Sequence, residues 1–359
     1  MLKALEICSR AIKKNDADVD AWHVLSSIHL RSGSNHKAVV AAKRACYLSK
    51  NQVFHLIHLG SCLANAGHIV EARGVAEKAL RLDPSSHCDL SNLGALFVTC
   101  NEHQRGADLF KAALLRDNRN AQYWYNLASV QRMLGEIQES LRSVNKAIEI
   151  NPADGRAHYL RSDLATQSKN NNHITELKYS LAAQKQPDSD EMLLRFALAK
   201  ELEDAGQFAE SFSQLEQATR MFRQSIKYDV ESDLKVIRDL ICLHTGEALR
   251  STSQGYLDAS PIFIVGLPRS GTTLVERLVA HHSDVDSVGE QNTFAMQMMA
   301  KVSSAIGSAG YSRSELVRKA LKLDMNALGQ EYCAQVDQLL PHEGRTVDKM
   351  PINYLYCGL

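Results

Sequence analysis

The sequence predicts two folds in succession, an all-α superhelix of paired helices and then an incomplete α/β domain. A repeat of 34 residues and an alternation of two amphipathic helix patterns predict the first fold over residues 1–225. A strand, a glycine-bracketed turn and a helix in PIFIVGLPRSGTTLVERLVAHH, residues 261–282, predict the second fold over residues 261–359. Residues 226–260 are expected to form a connecting helix and a polar linker.

Composition limits the classes of partner and the compartment. The 359 residues include 41 basic and 41 acidic side chains, so the net charge is zero and favours neither nucleic acid nor an anionic membrane as partner. Eight scattered cysteines show no metal-ligand spacing, which predicts reduced thiols, no metal and a cytoplasmic protein. No segment approaches the roughly 18 apolar residues of a membrane span.

Small residues recur in fixed columns of the repeat. Such residues let the two helices of a pair approach closely, and glycine supplies the positive φ that ends the first helix. The alanine column is Ala11, Ala45, Ala79, Ala113 and Ala147, and the turn column is Gly33, Gly67, Asn101 and Gly135.

These columns, together with Trp22 and Trp124 in the first helices, resemble the tetratricopeptide repeat. The resemblance implies a superhelix whose concave face binds protein or peptide, or else a scaffold for the following domain. The spacing of 71 residues between Gly135 and Gly206 is two periods plus three, which predicts an insertion in QSKNNNHITE. The register also indicates that the chain starts halfway through a repeat, with a capping helix or a shortened N-terminus.

The turn GLPRSGTT, Gly266 to Thr273, has the glycine spacing of a phosphate-binding loop, but Thr272 stands where an ATPase carries lysine. Backbone amides at a helix N-terminus, together with Arg269, suit a tetrahedral anion better than a nucleoside triphosphate. The alternatives are a strand-to-helix turn without ligand and a nucleotide kinase, which the absent lysine argues against.

The segment closely resembles the 5′-phosphosulfate loop of sulfotransferases, in the branch where tetratricopeptide repeats precede a domain similar to tyrosylprotein sulfotransferases. The resemblance implies binding of 3′-phosphoadenosine 5′-phosphosulfate, the sulfuryl donor, without a metal. The donor ligands that it implies are Pro268, Arg269, Ser270, Gly271, Thr272 and Thr273.

Two further residues receive catalytic roles from the same resemblance, alongside Arg269. Glu290 in DSVGEQNTF matches the glutamate that acts as general base, and Lys349 in TVDKMPINY matches a lysine that contacts the transferring group. Their alternative roles are an N-capping or solvated glutamate and an ordinary surface lysine.

The predicted function is sulfuryl transfer to a hydroxyl acceptor, either a peptide tyrosine or a glycan, with the array binding the acceptor or a partner. The family's 3′-phosphate and adenine contacts have no counterpart before Leu359, so the sequence is expected to be truncated at its C-terminus and weakly active or inactive. The rival hypothesis is a protein-binding repeat scaffold with an inert sulfotransferase remnant.

Overall fold

The computed structural model describes residues 2–182, 187–246, 255–306, 313–340 and 344–358. The chain divides into two compact units, Met1–Lys227 and Tyr228–Leu359. Of the expected polar linker STSQGYLDAS, the first four residues, 251–254, lie outside the described residues. Within the described ranges, no helix is both long and apolar enough to cross a membrane.

The first unit consists of antiparallel helix pairs, as the repeat predicts. Its described helices are α1 (Leu2–Lys14), α2 (Val19–Arg31), α3 (Asn35–Leu48), α4 (Val53–Asn65), α5 (Ile69–Leu80), α6 (His87–Thr99), α7 (His103–Arg116), α8 (Ala121–Met133), α9 (Ile137–Ile150), α10 (Gly155–Leu164), α11 (Ile174–Ala182), α12 (Asp188–Asp204) and α13 (Phe208–Ser225).

The turns of five helix pairs, the four from α2–α3 to α8–α9 and the α12–α13 turn, each use a residue in the left-handed region of backbone space, which confirms the turn column. Because L side chains disfavour that region, glycine recurs there, and asparagine takes its place in the α6–α7 turn. After α2, the Ser34 amide donates to the His29 carbonyl at 2.9 Å and closes the reversal. The φ angles are 72° at Gly33, 83° at Gly67, 63° at Asn101, 78° at Gly135 and 76° at Gly206.

The alanine column forms the close contact between paired helices. Ala45, Ala79, Ala113 and Ala147 are at most 1% exposed, whereas Ala11 in the first helix is half-buried. The two tryptophans also play equivalent parts, because the indole N–H of Trp22 donates to the Asp16 carbonyl and that of Trp124 to the Asn118 carbonyl, both at 2.9 Å. Each bond holds the loop that precedes a first helix.

The expected insertion is present as the loop between α10 and α11, residues 165–173, which is longer than the other turns within pairs. A fully buried glutamate, Glu201, holds this loop against α12. Its carboxylate accepts the His173 amide at 2.6 Å and the Ser162 hydroxyl at 2.6 Å. These hydrogen bonds, together with a contact to the His173 ring, compensate the burial of the charge and lower the pKa of Glu201 despite burial.

The second unit contains a parallel sheet of three strands within the described residues. Its elements are α14 (Val230–Leu243), β1 (Pro261–Ile264), α15 (Thr272–Val279), β2 (Val285–Gly289), α16 (Thr293–Ile306), α17 (Arg313–Ala320), α18 (Met325–Leu339), β3 (Arg345–Lys349) and a 3₁₀ helix (Pro351–Tyr356).

The strand order is β1-β3-β2, so β3 is central although it comes last in the chain. Ile264 at the end of β1 pairs with Lys349, and Gly289 at the end of β2 pairs with Asp348. Parallel strands end at the same edge, and ligands of open α/β sheets bind outside this edge. The loop after β1, Glu290 after β2 and Lys349 at the end of β3 therefore share it.

Replacing Gly155 by alanine should destabilise the array by about 1–3 kcal/mol, because the new Cβ would collide with the Asp190 carbonyl oxygen and lie 2.9 Å from the Asp190 Cα. Backbone atoms cannot move aside cheaply. The matched control is Gly74→Ala within α5, where nothing lies within 4 Å of the added methyl. This control should stabilise by about 0.5–1 kcal/mol.

Urea unfolding followed by tryptophan fluorescence measures both variants, because both tryptophans lie in the array. Equal midpoints for the two alanine variants would contradict the close approach at Gly155.

Candidate functional site

The loop between β1 and α15 turns tightly because two of its residues adopt left-handed conformations. Arg269 has a φ of 65° and Gly271, the N-cap of α15, has a φ of 92°. The Gly266 amide donates to the Pro351 carbonyl at 3.1 Å, which ties the start of the loop to the segment after β3. A Cβ at Gly266 would lie 3.1 Å from the Ser270 hydroxyl oxygen, so any larger residue there would force that side chain to shift.

Three consecutive amides at the start of α15 have no acceptor among the described residues: those of Gly271, Thr272 and Thr273. The next two amides, of Leu274 and Val275, donate to the Gly271 carbonyl at 3.0 and 3.1 Å and continue the helix. Unpaired amides at a helix N-terminus carry a partial positive charge. This end of α15 is therefore suited to an anion.

The side chains of the loop differ in whether they are free to contact a ligand. Arg269 is exposed and forms no ion pair within the described ranges, and Pro268 and Thr273 are also exposed. Ser270 uses both of its donors inside the loop, because its hydroxyl donates to the Leu267 carbonyl at 2.6 Å and its amide to the same oxygen at 3.2 Å. Ser270 therefore shapes the loop in this conformation and offers no free donor to a ligand.

The other two sequence-predicted catalytic residues lie together. The Lys349 ammonium donates to the carboxylate of Glu290, whose side chain is 56% exposed, while that of Lys349 is 6% exposed. The surface alternative for Lys349 is therefore wrong. The structure brings Glu290 and Lys349 into direct contact at the carboxyl edge of the sheet.

A second carboxylate, from Glu276 in α15, lies 3.6 Å from the Lys349 ammonium. Glu276 is buried, and its other oxygen accepts the Ser287 hydroxyl at 2.6 Å. The hydrogen bond to Glu290, with the nearby charge of Glu276, raises the pKa of Lys349 against the opposing effect of burial. The ammonium is therefore held in its charged form.

Glu276 was not found by sequence reasoning, because it sits within the apolar run TLVERLV. The apolar side chains of this run, Leu274, Val275 and Leu278, are exposed in the structure while Glu276 is buried. The helical spacing predicts the helix correctly, but it does not identify the buried face. Glu276 could have been identified only if the buried ammonium at the end of β3 were already known.

Asp348, next to Lys349, is a second buried acid with a structural role. It accepts the Tyr332 hydroxyl at 2.7 Å, which links β3 to α18. Burial raises the pKa of Asp348 to about 6, against hydrogen bonds from Tyr332 and the Gln291 backbone that lower it. Burial and the neighbouring carboxylate also raise the pKa of Tyr332, which keeps its hydroxyl a donor.

The first unit is a helical-repeat domain, because its helices form pairs joined by left-handed turns. The second unit is an α/β domain, because it has a parallel sheet with a strand, loop and helix at its edge. Residues 93–155 match the sequence model described as Tetratricopeptide repeat, and residues 261–359 match the model described as Sulfotransferase family. The chain carries tetratricopeptide repeats in its N-terminal part and a sulfotransferase-family domain at residues 261–359.

Two curated relatives extend this comparison. An uncharacterized protein of Aquifex aeolicus (strain VF5) is 27% identical over 263 residues, which are 72% of this chain and 34% of that protein. Protein O-mannosyl-transferase TMTC3 of Homo sapiens is 30% identical over 112 residues, which are 31% of this chain and 12% of that protein. The chain thus spans about a third and about an eighth of the lengths of these relatives.

Similar solved structures include YrrB, described as a TPR protein with an unusual peptide-binding site. It covers 59% of this chain and 99% of its own, with 14% identity and a TM-score of 0.37. TTC0263, a thermophilic TPR protein of Thermus thermophilus, covers 45% of this chain and 88% of its own, with 20% identity and a TM-score of 0.40.

Asp348 should make the sheet more stable as the pH falls. Its folded-state pKa, about 6, lies above the ordinary value of 3.8, so the folded state binds the proton more tightly. Between pH 7 and pH 4 this difference should add about 2.4 kcal/mol to the free energy of unfolding. Asp348→Asn keeps an oxygen for the Tyr332 hydroxyl and removes the titration.

Hydrogen exchange of the β3 amides, corrected for intrinsic rates, measures the effect at each pH. Protection should rise with acidity in the parent chain and stay level in the variant. The same pH dependence in both proteins would rule out Asp348 as the responsible group.

Proposed function

We propose that the chain belongs to an enzyme that transfers a sulfuryl group from 3′-phosphoadenosine 5′-phosphosulfate to a hydroxyl acceptor. The observation that carries the proposal is the convergence, at one edge of a sulfotransferase-family sheet, of a lysine–glutamate pair and three amides that have no acceptor in the part of the chain that the structure describes. Each of these groups matches a charge that the reaction must bind or develop.

The loop after β1 binds the phosphosulfate end of the donor. The amides of Gly271, Thr272 and Thr273 donate to its oxygens, and the helix N-terminus favours the negative charge. Arg269, exposed and unpaired within the described residues, turns its guanidinium onto the same group in a planar, two-pronged contact. Pro268 and Ser270 hold the loop in shape, so their contribution to binding is through its conformation.

The donor supplies the sulfuryl group and an adenosine bisphosphate leaving group. Glu290 accepts the proton of the acceptor hydroxyl while the oxygen of that hydroxyl forms the new bond to sulfur. The bond from sulfur to the phosphate oxygen breaks, and Lys349 and Arg269 stabilise the charge that develops there. No metal is needed, because these cations lie at the same edge of the sheet as the loop.

The repeat array binds a protein or peptide on its concave face and presents the acceptor, a peptide tyrosine or a glycan hydroxyl. Tetratricopeptide repeats form extended surfaces of this kind. The zero net charge supports neither nucleic acid nor an anionic membrane as partner. The eight free cysteines support a reducing compartment, the cytoplasm.

Arg269→Ala should weaken binding of the donor at least about tenfold, because a charge-assisted contact to the sulfonate is lost. The matched control is Arg277→Ala, which removes an equally exposed arginine from the far end of α15. Equilibrium binding of radiolabelled 3′-phosphoadenosine 5′-phosphosulfate measures both variants. Equal affinities for parent and Arg269→Ala would exclude Arg269 as a donor ligand, and a parent chain that does not bind the donor would favour the rival function, a protein-binding scaffold with an inert domain.

Glu290→Gln should lower the rate of sulfuryl transfer by about 10²–10⁴-fold, because the amide cannot accept the acceptor proton. Donor affinity should not fall, since the proposed donor ligands lie in the loop after β1. Transfer of labelled sulfate to tyrosine-containing peptides or to glycans gives the rate. Glu331→Gln, which neutralises the exposed partner of Lys301, is the control with unchanged activity. A Glu290→Gln variant as fast as this control would exclude Glu290 as the base.

A further inference from the structure

Among the described residues, the ammonium of Lys349 has two carboxylate partners, and the two side chains differ in their exposure. Glu290 follows β2 and its side chain is 56% exposed, whereas the Glu276 side chain is only 11% exposed. The exposed partner is the one to which the proposed function assigns proton transfer. A carboxylate paired with an ammonium is a weaker base, so loosening the contact with Lys349 makes Glu290 a better proton acceptor.

Glu276 is fixed by contacts on both of its oxygens. One oxygen accepts the Ser287 hydroxyl at 2.6 Å, and the other lies 3.6 Å from the Lys349 ammonium. Ser287 is itself held, because its hydroxyl oxygen accepts the Gly289 amide at 3.0 Å. The carboxylate thus joins α15 to both β2 and β3.

The burial of the Glu276 carboxylate is energetically unfavourable, although apolar side chains of the same helix are available for burial. Leu274, Val275 and Leu278 of the same helix are exposed, while the one acidic residue faces the sheet. A buried carboxylate without its cation is strongly destabilising, and so is a buried ammonium without a carboxylate. With Glu276 in place, Lys349 still has a counter-ion when Glu290 moves away.

We propose that Glu276 is a positioning residue, the permanent counter-ion that holds Lys349 charged and in place while Glu290 is released to act on the acceptor. This role rests on the proposed function. In the resting state Lys349 is shared between the two carboxylates. When an acceptor hydroxyl engages Glu290, the ammonium stays at the end of β3, held by Glu276, and faces the loop that binds the donor.

The direct test is the titration of Lys349 in the full chain, followed by NMR of lysine labelled at Cε and Nζ. Lys349→Arg assigns the signal. Removing a nearby negative charge lowers the pKa of an ammonium group, so Glu276→Gln should lower the pKa of Lys349 by about one unit. The pKa of Lys349 should also be lower in the double variant Glu276→Gln/Glu290→Gln than in Glu290→Gln alone. Glu331→Gln, at the separate Lys301 pair, should leave the signal of Lys349 unchanged.

Ser287→Ala provides a second route if Glu276→Gln does not fold. This variant keeps the charge of Glu276 but removes the hydrogen bond that orients it, so the pKa of Lys349 should fall by a smaller amount. An unchanged titration of Lys349 in every folded variant of Glu276 and Ser287 would overturn the role of Glu276.

The titration needs no donor, so it separates this inference from the proposed function. A parent chain that neither binds nor uses the donor would refute the reaction, while the titration would still decide whether Glu276 is the counter-ion. In an active chain, the basic limb of the kcat pH profile should shift to lower pH in Glu276→Gln by the same amount as the Lys349 titration. A fall in kcat without that shift would mean that Glu276 is merely structural.

Discussion

The geometry of the candidate site depends on one buried cation, the ammonium of Lys349 at the end of the central strand. Its two carboxylate partners come from different elements, Glu276 from α15 and Glu290 from the segment after β2. Because burying an ammonium is costly without counter-ions, its contacts link α15 and the segment after β2 to the end of β3. The loop that begins α15 is held in place by the same contacts.

The array is built on a different principle. Small residues let the helices pack closely, and in five pairs a left-handed turn joins the two helices, so the array repeats one local arrangement. Where the period is broken, between α10 and α11, buried polar bonds to Glu201 replace the regular turn. This arrangement buries the charge of Glu201, and several donors compensate it at once.

Much of the fold could be predicted from the sequence because it depends on local chemistry. The turn residues follow from the steric cost of positive φ, as Gly33 and Asn101 show, and the strand, loop and helix from Pro261 to His282 follow from apolar pattern and glycine spacing. The three amides at the start of α15 follow from the same reasoning. The position of Lys349 beside Glu290 could be expected only through the resemblance to sulfotransferases.

The remaining features depend on contacts between residues distant in sequence. Glu276 is buried because the ammonium of β3 lies beneath α15, and a helical pattern read alone favours the opposite face. Tyr332 and Asp348 meet because α18 packs on the sheet, and no spacing in the sequence marks that pair. The Ser270 hydroxyl donates to the Leu267 carbonyl and not to a ligand, and the sequence alone does not distinguish these two acceptors.

The central claim is that the amides at the start of α15 form an anion site for the donor. Labelling glycine and threonine with ¹⁵N and titrating with 3′-phosphoadenosine 5′-phosphosulfate tests it directly. Saturable shifts are expected at Gly271, Thr272 and Thr273, with no change at array glycines such as Gly33 and Gly67. Amides of α15 that stay unmoved at a donor concentration that saturates any other signal would contradict it.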